Sequence, residues 1–118
     1  MTQGKYEAKT IFGICKRTIE CIVSGRYGPL EECRALSRVS EQDIERVLKE
    51  YSPRERPIMP PDSYLEEAAD VYEYRDGSGW HVDIDLWYPG GVSDLTLQLD
   101  IRKQRNHLSF IVDDLHVL

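Results

Sequence analysis

No apolar run in this sequence approaches the ~20 residues a helix needs to cross a bilayer, which argues against a membrane-spanning protein. The opening Met1-Thr2-Gln3-Gly4-Lys5 lacks the apolar core of a secretory signal, so a cytoplasmic location is expected. Cysteine is sparse. Cys15, Cys21 and Cys33 are an odd set with no Cys-x-x-Cys pair and no histidine at zinc-finger spacing. Cys15 and Cys21 fall on one expected helix, about 9 Å apart along its axis, too far for a disulfide. All three read as reduced, semi-buried small hydrophobes.

Basic residues are scarce in the second half. Residues 1–59 carry 11 Lys and Arg against 9 Asp and Glu, and residues 60–118 carry 4 against 12, for a net charge of −6. A nucleic-acid binder shows a basic footprint, so no nucleic-acid partner is expected. Glycine loops that open a helix are missing as well. Gly77-x-Gly79 and Gly90-Gly91 read as hairpin turns rather than phosphate cradles. Neither a cofactor motif nor a Ser or Cys nucleophile beside a histidine stands out, so the expectation is a protein without cofactor and without enzymatic activity.

What is present fits one α+β domain of 118 residues: two to three N-terminal helices packed on a four-stranded antiparallel β-meander. The helical part is expected over about residues 5–51, a proline-rich connector over 52–63, and the meander over 68–118. Ile11, Ile14, Cys15, Thr18, Ile19 and Ile22 recur at three- and four-residue spacing and predict an amphipathic helix from about Tyr6 to Val23, stopped by Ser24-Gly25. Pro29 predicts the start of a short helix to about Leu36. Ser40 and Asp43 predict a capping box ahead of a third helix with Ile44, Val47, Leu48 and Tyr51 on its buried stripe. Pro53, Pro57, Pro60 and Pro61 speak against helix or central strand in the connector.

Beyond Val71 the apolar period becomes two. Trp80, Val82, Ile84 and Leu86 share one face of a strand, as do Leu95, Leu97, Leu99 and Ile101 of the next and Leu108, Phe110 and Val112 of the last. A phase change after Asp113-Asp114 predicts a bulge. Placing apolar opposite apolar sets Leu86 against Leu95, Ile84 against Leu97 and Val82 against Leu99. On the outer face His81 then meets Asp100, Asp83 meets Gln98 and Asp85 meets Thr96, while Val71 points inward. The outer face is therefore expected to carry Tyr72, Tyr74, His81, Asp83, Asp85, Trp87, Asp94 and Asp100, with little balancing Lys or Arg before Arg102.

His81-x-Asp83-x-Asp85 carries ligand types suited to zinc or manganese, with Asp100 as the third-ligand candidate from a neighbouring strand. The fourth strand lies roughly 10 Å away, so a solvated polar face is the expectation and no metal site is assigned. Tyr and Trp among carboxylates suit an interface, since aromatics bury large area at little entropy cost and carboxylates steer a basic partner. A helix covering part of the face, with Tyr72 or Trp87 in ordinary packing, is the alternative. A dimer through this face would set like charges together, so a monomer is expected.

Val23-Ser24-Gly25-Arg26-Tyr27, Arg38-Val39-Ser40, Pro60-Pro61-Asp62, the Trp80 to Trp87 strand, Ser93-Asp94-Leu95-Thr96-Leu97 and Asp113-Asp114-Leu115-His116-Val117-Leu118 together resemble a family of bacterial single-domain proteins with no assigned activity. The resemblance implies a bacterial source and this fold, and it carries over no functional residue. The order of elements also resembles nuclear-transport-factor-2-like domains, which implies a pocket between helices and sheet that binds or transforms a small molecule. The residues themselves point to a non-enzymatic binding protein with a basic protein partner, such as an immunity protein neutralising a toxin or nuclease.

Overall fold

The computed structural model describes the backbone of residues 2–118 and the side chains of residues 8–118. Helix α1 (Thr2–Ser24) buries Ile11, Cys15, Thr18, Ile19 and Ile22 of the stripe expected from its spacing, while Ile14 is only half-buried. The Thr18 hydroxyl donates to the Ile14 carbonyl at 2.8 Å, which lets a polar residue sit in the core. Gly25 ends the helix with φ at 72°, its N–H donated to the Cys21 carbonyl. Cys15 and Cys21 are buried, and burial pushes the Cys15 thiol up to about 12. Cys33 is exposed, unlike the semi-buried residue expected.

Helix α2 (Gly28–Glu32) begins around Pro29 but is shorter than its spacing predicts. Arg34 adopts φ 63°, and the Ala35 N–H reaches back to the Leu30 carbonyl at 2.8 Å. This is a Schellman closure with arginine where glycine is usual. Helix α3 (Glu41–Tyr51) has the expected capping box: the Asp43 N–H donates to Ser40 Oγ at 3.0 Å and the Ser40 N–H to Asp43 Oδ2 at 2.9 Å. Those bonds hold the Asp43 carboxyl below its ordinary range.

The connector differs from expectation at its end. A fourth helix, α4 (Asp62–Ala68), starts directly after Pro60-Pro61 and buries Leu65. The prolines do not forbid it because they precede its first turn, where no intrahelical N–H is required. Arg56 ties the connector to the helices. Its guanidinium donates to Glu45 at 2.8 and 3.0 Å and to the Ile22 carbonyl at 2.7 Å. Glu45 also accepts from Tyr27 Oη at 2.5 Å.

Strands β1 (Asp70–Glu73), β2 (Gly79–Tyr88), β3 (Gly91–Lys103) and β4 (Leu108–Val117) form one antiparallel sheet in the order β1-β2-β3-β4. The β2–β3 register is the expected one from Gly79 opposite Arg102 to Asp85 opposite Thr96. Gly79 is needed there because a Cβ would lie 2.0 Å from the Ile101 carbonyl oxygen. Beyond Asp85 the register slips, and Trp87 faces Val92 and Tyr88 faces Gly91, so the expected Leu86–Leu95 rung is replaced. The reason is local: Ser93 Oγ donates to the Leu86 carbonyl at 2.7 Å and accepts from the Leu95 N–H at 3.2 Å, substituting for ladder bonds. The bulge expected in β4 falls at Asp113, between Asp114 opposite Gln98 and Val112 opposite Leu99. Arg38 pairs with the bulged Asp113, and the Val112 N–H donates to the Ala35 carbonyl at 2.8 Å.

The inner face of β2–β4 and the helices make one core, including Ile19, Ile22, Leu30, Ile44, Ile84, Leu97 and Leu99. Val71, expected to point inward, lies opposite Val82 but is 39% exposed, because β1 is an edge strand.

Candidate functional site

The outer sheet face arises from strict alternation. Each odd-numbered residue of β2 from His81 to Trp87 is half-buried while its even neighbours are buried in the core. Across β1 to β4 one rung reads Tyr72, His81, Asp100, Ile111 and the next reads Asp70, Asp83, Gln98, Asp114. Asp85 and Thr96 follow, with His116 beside Thr96 on β4. Asp70, Asp83, Asp85, Asp100 and Asp114 thus share this surface with Arg102 as its cation. From the sequence Asp70 was not assigned to this face and Asp114 was set aside as a fourth-strand residue too far from β2 for one compact site; the pairing of β1 and β4 with the central strands is what adds them.

Most of these carboxylates are fixed in place. Asp83 Oδ1 lies 2.6 Å from His81 Nε2 and accepts from Gln98 Nε2 at 2.9 Å. His81 therefore bonds along its own strand rather than across to Asp100, its rung neighbour. Asp100 Oδ1 instead accepts from Tyr74 Oη at 2.8 Å and Arg102 Nε at 3.0 Å. The Arg102 guanidinium also lies 4.5 Å from the Tyr74 ring centre. Burial, then the bond to Asp100, pushes the Tyr74 hydroxyl up to about 12. Asp85 Oδ1 accepts from Thr96 Oγ1 at 2.6 Å. The Tyr72 ring stands 6.2 Å from that of His81 and is 55% exposed.

Two expected members are drawn away from this group. Asp94 accepts from Tyr51 Oη of α3 at 2.5 Å, beyond the register slip that follows Asp85. Trp87 is half-buried and packs edge-on against Tyr64 of α4, ring centres 5.2 Å apart. Tyr64 Oη donates to the Asp85 carbonyl at 3.0 Å, and the Ile58 N–H to the Trp87 carbonyl at 2.7 Å. The stretch of β2 that β1 leaves uncovered is thus closed by the connector and α4. His81, Asp83 and Asp85 do not converge on a common point, each carboxylate having its own partner. Among the described residues no group of three or more His, Cys, Asp and Glu is arranged to hold a metal ion.

A second feature involves α1 and the turn between β3 and β4. An open cleft of about 800 Å³ runs between α1 and the β3–β4 hairpin, with Ile14, Leu108 and Phe110 supplying apolar lining and Arg17, Lys103 and His107 basic lining. The exposed Cys33 sits at its edge against α2. None of this cleft's lining residues was assigned to a site from the sequence, since they come from segments some ninety residues apart.

The fold and these surfaces define a single-sheet α+β domain, helices on one face and an acidic-aromatic surface on the other. The chain belongs to the family described as Domain of unknown function (DUF7668), whose model matches residues 19–118. The match takes in every residue of the outer face. No curated protein and no solved structure matches the chain. No helix among the described residues is long and apolar enough to cross a membrane.

Proposed function

We propose that this chain is a non-enzymatic, cytoplasmic bacterial binding protein that captures a basic protein partner on the outer face of its sheet, as an immunity protein captures a toxin or nuclease. The observation that carries this reading is the set of five carboxylates facing a single guanidinium, three of them held by neighbours rather than free to reorient. Fixed carboxylates lose little entropy on docking, and an excess of one sign accelerates encounter with a basic surface. Tyr72, half exposed beside His81, is the aromatic anchor. Trp87 and Asp94 serve the fold instead.

The test is capture of basic toxins and nucleases of the source organism by the protein and by an Asp83→Asn, Asp85→Asn double variant, which keeps an acceptor for Gln98 and Thr96. Binding weakened about tenfold or more, with association slowed most at low salt, is the expected result. Equal affinity and equal salt dependence would refute the assignment to this face. The cleft beside α1 supports a second reading, a pocketed domain that binds a small molecule, because its volume lies in the range of ligand sites.

A further inference from the structure

The sequence carries 21 Asp and Glu, yet none of the described residues lining the cleft between α1 and the β3–β4 hairpin is acidic. This is the reverse of the outer face. Arg17 projects from α1 beside Ile14, and it forms no ion pair among the described residues. Lys103 is engaged elsewhere, 3.7 Å from Glu73 and 4.9 Å from the centre of the Trp80 ring. Among the described residues that leaves Arg17 as the cleft guanidinium with open donor capacity, next to apolar surface from Ile14, Leu108 and Phe110. A guanidinium presents two parallel N–H groups that match a carboxylate, and an apolar wall beside it accepts a hydrocarbon body.

We infer that the cleft binds an amphipathic monocarboxylate, its head group on Arg17 and its apolar chain along Ile14, Leu108 and Phe110. The inference rests on the pocketed-domain reading and adds the ligand's chemistry. Charge complementarity argues for it: a net-negative protein repels anions in general, so a cleft whose described lining is basic and carries no carboxylate is the place where one is admitted. A neutral amphiphile would gain the apolar contacts without the head-group bond. A cationic one would meet Arg17 as a like charge.

The experiment uses dodecanoate, dodecanol and dodecylamine as probes, each below its aggregation limit, on the full chain. Binding is read by calorimetry and by protection of the Cys33 thiol from alkylation. Cys33 reports on this cleft alone because Cys15 and Cys21 are buried. Dodecanoate is expected to bind and to slow Cys33 alkylation, with dodecanol about tenfold weaker or worse and dodecylamine weaker still. Arg17→Gln, at an exposed helix position, is expected to bring dodecanoate down to the level of dodecanol and leave dodecanol unchanged. Equal binding of all three probes, indifferent to Arg17→Gln, would overturn the carboxylate assignment and leave the pocket standing. Failure of every probe to bind or to protect Cys33 would overturn both.

Discussion

Replacing Arg56 by alanine removes one side chain that joins three segments. Its two bonds to Glu45, at 2.8 and 3.0 Å, form a two-pronged ion pair, but the side chains are 45% and 38% exposed. Solvent screening at that exposure limits such a pair to about 0.5–1 kcal/mol. The 2.7 Å bond to the Ile22 carbonyl in the last turn of α1 is better shielded and contributes about 1 kcal/mol. The expected loss for Arg56→Ala is therefore about 2 kcal/mol, or roughly 1 M in the urea midpoint. The pH dependence separates the two contributions. The Arg56 bonds, and then the Tyr27 bond, hold the Glu45 carboxyl below its ordinary range. A carboxyl lowered in the folded state adds stability that is complete above its unfolded pKa, near ~4.3, and is lost as pH falls through the folded value. Urea unfolding at pH 7 and near pH 3 should then show the wild-type advantage shrinking to about 1 kcal/mol at the acid end, the carbonyl bond remaining. An advantage equally large at both pH values would refute the role given to Glu45, and one below about 0.5 kcal/mol at pH 7 would refute the whole anchor.

Two further substitutions probe the sheet. The Tyr88 hydroxyl is buried without a hydrogen-bond partner among the described residues, and burial pushes it up to about 12, so Tyr88→Phe should be neutral or stabilise by about 1 kcal/mol; a loss above that in thermal unfolding would reveal a partner for the hydroxyl. Gly79→Ala would drive a Cβ to 2.0 Å from the Ile101 carbonyl oxygen and should cost about 3 kcal/mol or more, opening the β2–β3 ladder at its first rungs; hydrogen exchange at Trp80 and Ile101 unchanged from wild type would contradict the close approach.

The outer face illustrates how far alternation carries. A period of two sorts side chains between faces without any tertiary information, so Tyr72, His81, Asp83, Asp85 and Asp100 were legible as one surface. Hydrophobic matching set the β2–β3 register, and a phase change marked the β4 bulge. Hydrogen-bond partners were not legible. His81 could have bonded Asp100 across the rung, and it bonds Asp83 along the strand while Tyr74 and Arg102 occupy Asp100. Helix α4 was hidden because a seven-residue helix is too short for periodicity to show, and the prolines before it suggested a longer break than they impose.

The sequence by itself determined the α+β class, the helix stops and caps, the strand faces and the acidity of the second half. These depend on local backbone preference and on the burial of apolar groups at fixed spacing. Tertiary structure alone decided that Asp94 turns to Tyr51, that Trp87 is covered by Tyr64, and that Arg17 comes to lie across a cleft from the β3–β4 hairpin. Each of these joins segments distant along the chain, and their meeting depends on how helices and sheet pack rather than on any local pattern.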